Sequence, residues 1–150
     1  MTTDDLKIIA KRFFDAVWNR HDVDAIDDLF APDFVDHYLS VPRTPDRDGF
    51  KQECTVYLTA FPDTSVTIED QIAERDRVVS RVVFRSTHTG PFGPVPPTGR
   101  TVEATGCIIL RIAQGLIAER WGNIDDLGAL RQLGLVSTLP GGPPSGEEPA

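Results

Sequence analysis

The chain has 150 residues, of which 40% are hydrophobic and 25% charged, a composition typical of one globular domain with its own core. Its formal net charge of −8 argues against binding to the phosphates of nucleic acids or to an anionic membrane surface. The first residues are acidic and no apolar run follows them, so we expect no signal peptide, no membrane span and a cytoplasmic protein.

Apolar residues recur at helical spacing through the N-terminal part of the chain. A threonine pair followed by acidic residues suits the start of a helix, which should end near Asn19–His21. Asp22 can cap a short second helix, and a first short strand is predicted at Phe34–Leu39. A third helix is predicted from about Asp46 to Ala60.

From Ser65 the apolar period changes to two, which predicts strands. The predicted strands are residues 65–74, 77–88, 100–112 and 115–124. A last short helix, Leu127–Leu133, should end at Gly134, a residue suited to the left-handed conformation. Helices followed by a run of antiparallel strands indicate one α+β domain over residues 1–138. Residues 139–150 are rich in proline and glycine, so we predict a disordered tail.

The strand ending at His88 has two distinct faces. Arg81 and Arg85 share one face and need water or a partner, so the opposite face should point inward. His88 then stands at the end of an apolar inner face that includes Phe84. It is either a pocket residue or a histidine bonded to a carbonyl of the glycine- and proline-rich loop at 90–99.

The side chains of the last predicted strand, residues 115–124, also alternate between two faces. If it is unbroken, one face carries Ile117, Glu119, Trp121, Asn123 and Asp125. A carboxyl group beside an apolar wall has a raised pKa and suits general acid/base work. Alternatively, the aspartate at 125 or at 126 caps the final helix, and neither role excludes the other.

The first strand alternates Asp36 and Tyr38 with His37, and periodicity does not decide which set faces inward. His37 is therefore either structural or catalytic. The three histidines of the chain are not at ligand spacing from one another, so we expect no metal site.

Several short segments together resemble the SnoaL-like polyketide cyclases. The matching segments, spread over about residues 4–136, are Asp33–His37, Ala60–Asp63, Thr87–Gly93, Pro96–Arg100, Glu119–Trp121 with Asp125, Leu127–Gly128 and Gln132–Gly134. The resemblance implies the cone-shaped fold of the nuclear transport factor two-like superfamily, with helices packed into a strongly curved antiparallel sheet around an apolar pocket. It also implies frequent homodimers and chemistry without a cofactor.

The same resemblance suggests which residues act. In the cyclases an aspartate near the end of the last strand is the acid/base of an intramolecular aldol ring closure, and Asp125 matches it; His37 and His88 match pocket histidines. The expected substrate-binding residues are Trp18, Tyr38, Phe84, Phe92, Glu119, Trp121 and Asn123.

The leading hypothesis is a cofactor-independent cyclase that acts on a bulky, apolar, polyketide-like intermediate in secondary metabolism, such as antibiotic biosynthesis. Two alternatives remain open within the fold: an epoxide-opening cyclase or hydrolase, and a binding domain without catalysis. Epoxide hydrolases of this superfamily use an Asp/Arg/Asp relay on inner faces. Arg81 and Arg85 are predicted to point outward, which argues against such a relay in this chain.

Overall fold

The computed structural model describes residues 1–137, so the predicted tail at 139–150 lies outside the described residues. The helices are α1 (Thr3–Phe13), α2 (Ile26–Leu29), α3 (Arg47–Ala60) and α4 (Asp126–Gln132), with a π-helical continuation of α1 over Phe14–Asn19 and a 3₁₀ turn at Val23–Ala25. The strands are β1 (Phe30–Asp36), β2 (Ser65–Glu74), β3 (Arg77–Thr87), β4 (Thr101–Ala113) and β5 (Leu116–Ile124).

The helix ends follow the chemistry of their caps. The Thr2 side chain accepts from the Asp5 N–H while the Asp5 carboxylate accepts from the Thr2 N–H, a reciprocal capping box. Asp46 accepts from the Gly49 N–H at the start of α3. Gly134 has φ +76°, the left-handed conformation predicted for the residue that follows α4.

The five strands form one curved sheet in the order β1-β5-β4-β3-β2. Strands β2 to β5 are antiparallel to their neighbours, as predicted, whereas β1 pairs parallel with β5. The first strand was predicted at residues 34–39 and lies instead at Phe30–Asp36, because Phe30 already pairs with Ile117 of β5. The α+β class and the curved sheet are confirmed.

The concave face of the sheet holds the core together with the helices. On β3 the predicted inner residues, including Val82, Phe84 and His88, are buried, while Arg81 and Arg85 are exposed. Five phenylalanines from α1, β1 and α3 fill the opposite side of the core. They are Phe13, Phe14, Phe30, Phe34 and Phe50, and their ring centroids lie 4.8–6.1 Å apart where they meet.

Strand β5 is not regular, and this overturns the predicted inner face. The register steps from Ile112 opposite Ile117 to Arg111 opposite Glu119, so Ala118 is an extra residue on β5. Ile117 points inward before this bulge, and Arg120 points inward after it. The prediction that Glu119, Trp121 and Asn123 share the inner face with Ile117 is therefore wrong, since one extra residue exchanges the two faces.

Among the helices of residues 1–137, none combines the length and the apolar character needed to cross a membrane.

Candidate active site

An apolar pocket of about 270 Å³ lies between the concave face of the sheet and the helices. Its wall is rich in aromatic residues, which include Phe14, Trp18, Tyr57, Phe61, Phe84 and Phe92. Trp18 meets the rings of Tyr57 and Phe84 edge-on, at centroid distances of 5.6 and 5.4 Å. Of the predicted substrate-binding residues, Trp18, Tyr38, Phe84 and Phe92 line this pocket.

His88 lies on the pocket wall with none of its surface exposed. Its Nδ1 accepts a hydrogen bond from the backbone N–H of Thr98 at 3.1 Å and lies 3.0 Å from the Thr98 hydroxyl. Within residues 1–137 its Nε2 has no hydrogen-bond partner. The ring also stacks on Phe61 with centroids 5.1 Å apart, so its position is fixed on two sides.

A carboxylate with a phenol partner stands at the mouth of the pocket. The Tyr38 hydroxyl donates to Oδ2 of Asp126 at 2.7 Å, and both residues line the pocket. Burial and the Asp126 carboxylate raise the pKa of Tyr38, so the phenol keeps its proton and is the donor in this hydrogen bond. Asp126 is the first residue of α4, a position that favours a negative charge.

The predicted acid/base, Asp125, lies one residue earlier and outside this pocket. Its Oδ1 accepts from the Gly128 N–H at 2.9 Å, which makes it the N-cap of α4. Its own N–H donates to the carbonyl of Thr105 on β4. Of the two roles considered for Asp125, cap or acid/base, the structure shows the cap. The carboxylate that borders the pocket belongs to Asp126.

A buried cluster of charges adjoins the pocket from β1, β5 and α3. The guanidinium of Arg120 donates to both carboxylate oxygens of Asp36 at 2.8–3.2 Å. Arg43 donates to Asp36 and also, through Nε, to Glu53 at 2.7 Å. The Arg120 guanidinium lies 4.4 Å from the ring centroid of Phe50. Two arginines balance two carboxylates here, and Arg120 and Glu53 reach the pocket wall.

His37 lies on the opposite, convex face of the sheet. Its ring stacks on Trp121 with centroids 4.8 Å apart, and its Nε2 lies 2.9 Å from a Glu119 carboxylate oxygen. The guanidinium carbon of Arg77 lies over the Trp121 ring, 4.8 Å from the ring centroid. Hydrogen bonds from Arg111 and His37 lower the pKa of Glu119. His37, Glu119, Trp121 and Asn123 are therefore not on the pocket wall.

Among the pocket residues that sequence reasoning missed are Glu53, Tyr57, Arg120 and Asp126. Glu53 and Tyr57 are spaced one helical turn apart on α3, which is a readable signal. The sequence pattern did not predict that Arg120 points inward, because the bulge at Ala118 sets the direction of its side chain. In residues 1–137 no group of three or more histidine, cysteine or acidic side chains is arranged to hold a metal ion.

A family model described as SnoaL-like polyketide cyclase matches residues 8–133. The chain belongs to the SnoaL-like polyketide cyclase family. No match is found among curated proteins.

Solved structures of similar proteins agree with this family assignment. IdmH from Streptomyces antibioticus, described as a candidate polyketide cyclase, is 34% identical, with 86% of this chain and 98% of that chain covered and a TM-score of 0.75. AclR from Streptomyces galilaeus, described as a candidate hydroxylase, is 30% identical, with 93% and 87% covered and a TM-score of 0.80. TsrD from Streptomyces laurentii is 26% identical, with 91% and 99% covered and a TM-score of 0.79.

Proposed function

We propose that this SnoaL-like protein is a cofactor-independent acid/base enzyme that closes a ring in a bulky, apolar, polyketide-like intermediate. The observation that carries the proposal is the apolar pocket whose lining includes both the Asp126 carboxylate and His88, a buried histidine whose Nε2 has no hydrogen-bond partner within residues 1–137. Apolar walls with a few polar groups are typical of small-molecule sites, and a positioned carboxylate and a hydrogen-bond donor are what enolate chemistry needs.

In the proposed reaction, Asp126 removes a proton from a carbon next to a carbonyl group of the substrate. The resulting enolate oxygen is stabilised by a hydrogen bond from His88. The enolate carbon then attacks a second carbonyl carbon of the same molecule, which forms the ring bond and leaves an alkoxide. The Asp126 carboxyl returns its proton to that alkoxide, so atoms and charge balance. Tyr38 orients the Asp126 carboxylate through its 2.7 Å hydrogen bond.

Asp125 is the alternative base, because it matches the family position of the acid/base. To act there, its carboxylate would have to leave the N–H of Gly128, which it accepts at 2.9 Å. We favour Asp126 because it is the aspartate that borders the pocket. Substitutions at the two neighbouring positions separate these assignments.

Epoxide opening is the second candidate, and the buried charge cluster supports it. Arg120 lies on an inner face between Asp36, at 2.8 Å, and Glu53, at 3.8 Å. A guanidinium flanked by two carboxylates is the type of arrangement that the Asp/Arg/Asp relay uses. In this alternative Glu53 would take a proton from the attacking hydroxyl or water.

Product mass distinguishes these reactions. The protein is incubated with a linear or partly cyclised aromatic polyketide that carries a diketone side chain, and the products are analysed by chromatography and mass spectrometry. Aldol ring closure gives an isomer of the substrate, whereas hydrolysis of an epoxide analogue adds one water. Binding without conversion of either compound would contradict both enzyme proposals and favour a binding domain.

Binding itself is measured through tryptophan fluorescence. Because Trp18 lines the pocket and Trp121 does not, we expect the ligand-dependent change to persist in Trp121→Phe and to disappear in Trp18→Phe. The opposite pattern would place the ligand on the convex face.

A further inference from the structure

The loop between β3 and β4 closes over the ring of His88. The last pair of the β3–β4 ladder is Thr87 with Thr101. Beyond it the His88 N–H still donates to the carbonyl of Arg100 at 2.9 Å, and the Gly99 N–H donates to the carbonyl of His88 at 2.8 Å. The chain thus leaves the sheet after His88 and returns at Thr98, directly beside the imidazole.

The contacts of Thr98 determine which ring nitrogen carries the proton. A backbone N–H can only donate, so the 3.1 Å contact from the Thr98 N–H requires an unprotonated Nδ1. The Thr98 hydroxyl oxygen accepts from the Arg100 N–H at 3.3 Å, which leaves its hydrogen free for the same Nδ1 at 3.0 Å. A neutral imidazole with an unprotonated Nδ1 carries its single hydrogen on Nε2.

The N–H of Nε2 is then a buried donor without an acceptor in the part of the chain that the structure describes. His88 has no exposed surface, lines the pocket, and has no partner for Nε2 within residues 1–137. A buried donor without an acceptor is unfavourable, so an oxygen atom of a bound molecule that reaches Nε2 would be stabilised.

We propose that Thr98 is a positioning residue that holds His88 as the Nε2–H tautomer, so that His88 donates a hydrogen bond to a substrate oxygen and does not act as a base. The catalytic part of this inference rests on the proposed ring closure, whereas the tautomer is a property of the free protein. Thr98 acts through His88 and lies in the loop that also places Phe92 on the pocket wall.

The tautomer is measured directly. In protein labelled with nitrogen-15 at histidine, the spectra of the ring nitrogens distinguish the two neutral tautomers and the cation, and variants of His21 and His37 assign the signals. We expect His88 near neutral pH to have a hydrogen on Nε2 and none on Nδ1. A hydrogen on Nδ1 in the wild-type protein would overturn the proposal, whatever the variants do.

Variants of Thr98 test the positioning role. Thr98→Ser keeps both the hydroxyl and the N–H, and we expect a wild-type spectrum and turnover. Thr98→Pro removes the N–H, and we expect mixed tautomers with a lower kcat and little change in KM. If Thr98→Pro does not fold, Thr98→Val, which lacks only the hydroxyl, should still change the Nδ1 signal. Wild-type tautomer and turnover in both Thr98→Pro and Thr98→Val would overturn the role of Thr98.

Variants of His88 test the donor. Loss of one donor to a developing oxyanion costs about 10²–10³ in kcat, and we expect this for His88→Leu. His88→Gln places an amide N–H near the position of Nε2, so it should recover part of the loss; a base would not be rescued in this way. Failure of wild-type protein to close any ring would contradict the proposed function, while the spectrum still decides the tautomer.

Discussion

The histidines that directly follow β1 and β3 lie in opposite environments, although both contact aromatic rings. His88 is buried on the concave face, stacks on Phe61 and belongs to the pocket lining, and its Nε2 has no hydrogen-bond partner within residues 1–137. His37 lies on the convex face, stacks on Trp121, and uses its Nε2 on Glu119. An unsatisfied polar atom in the lining of an apolar pocket suits ligand binding, whereas a histidine that stacks on Trp121 and contacts Glu119 on a charged surface suits stabilisation of the sheet.

This difference depends on which face of the sheet each residue occupies. The bulge at Ala118 turns Arg120 inward and Trp121 outward. Because Asp36 of β1 is paired in register with Arg120, Asp36 also lies on the inner face. The buried Asp36–Arg120 ion pair therefore lies on the inner face, next to the pocket, and the His37–Trp121 stack lies on the outer face. Matched substitutions on the two faces should therefore differ strongly in their effects on turnover and on the free energy of unfolding.

The largest expected effect is that of Asp126→Asn. The amide keeps the shape and a hydrogen-bond acceptor but cannot take a proton, so turnover should fall by roughly 10²–10⁴-fold. Asp125→Asn is the matched control: asparagine caps a helix about as well as aspartate, so stability and turnover should stay close to wild type. Both are checked by steady-state kinetics and thermal unfolding. Loss of turnover in Asp125→Asn alone would move the acid/base to Asp125.

The second comparison concerns two arginines of adjacent strands. Arg120→Leu leaves the buried Asp36 with Arg43 as a charged partner, and we expect the free energy of unfolding to fall by about 3 kcal/mol. Arg111→Leu removes a partly exposed contact to Glu119 on the convex face, and the expected loss is about 0–1 kcal/mol. Urea unfolding of both variants measures the difference. Equal losses would contradict the assignment of the two residues to different faces.

The convex face also carries an apolar stripe that crosses four strands. Register places Ile72 opposite Val79, Val79 opposite Ile109, and Ile109 opposite Trp121. Ile72 is 70% exposed. Because rows of charged residues flank the stripe, we propose that two copies of the chain associate through it as a homodimer.

Light scattering at micromolar concentration tests this proposal. We expect the mass of a dimer for the wild type and of a monomer for Ile72→Glu. Val56→Glu, at an apolar position of α3 that is 50% exposed, should remain a dimer. A monomeric wild type would contradict the dimer, and a dimeric Ile72→Glu would place the interface elsewhere.

The smallest expected effect is a pH dependence on the convex face. Arg111 and His37 lower the pKa of Glu119 in the folded protein, so this carboxylate stabilises the fold above the ordinary glutamate pKa of about 4.3. The contribution is lost as the pH falls through the lower folded-state value. Glu119→Gln should therefore be less stable than wild type near neutral pH, and the difference should shrink as the pH falls below the ordinary glutamate pKa. High salt should reduce the difference; a difference that grows toward acid pH would contradict this sign.

Much of the fold was readable because it depends on local chemistry. The capping box at Thr2, the cap at Asp46, the left-handed Gly134 and the alternation along β3 each involve neighbours in the chain. The inward direction of Phe84 and His88 followed from the same alternation, since Arg81 and Arg85 could not be buried unpaired. The segments that resemble the family also predicted the fold that the family model confirms.

The candidate site depended on contacts between distant parts of the chain. A single extra residue in β5 exchanged the faces of Arg120 and Trp121, and strand alternation cannot reveal a bulge that appears only in the pairing with β4. Asp125 and Asp126 are neighbours with equal chemistry, and only the packing of α4 makes one a cap and places the other beside Tyr38. The sequence by itself thus determined most of the elements and the apolar inner face. The tertiary structure alone decided which charged and aromatic side chains share the pocket, because this depends on the β4–β5 register and on contacts between distant residues. Asp36 and Arg120 lie 84 positions apart in the chain, and Tyr38 and Asp126 lie 88 apart.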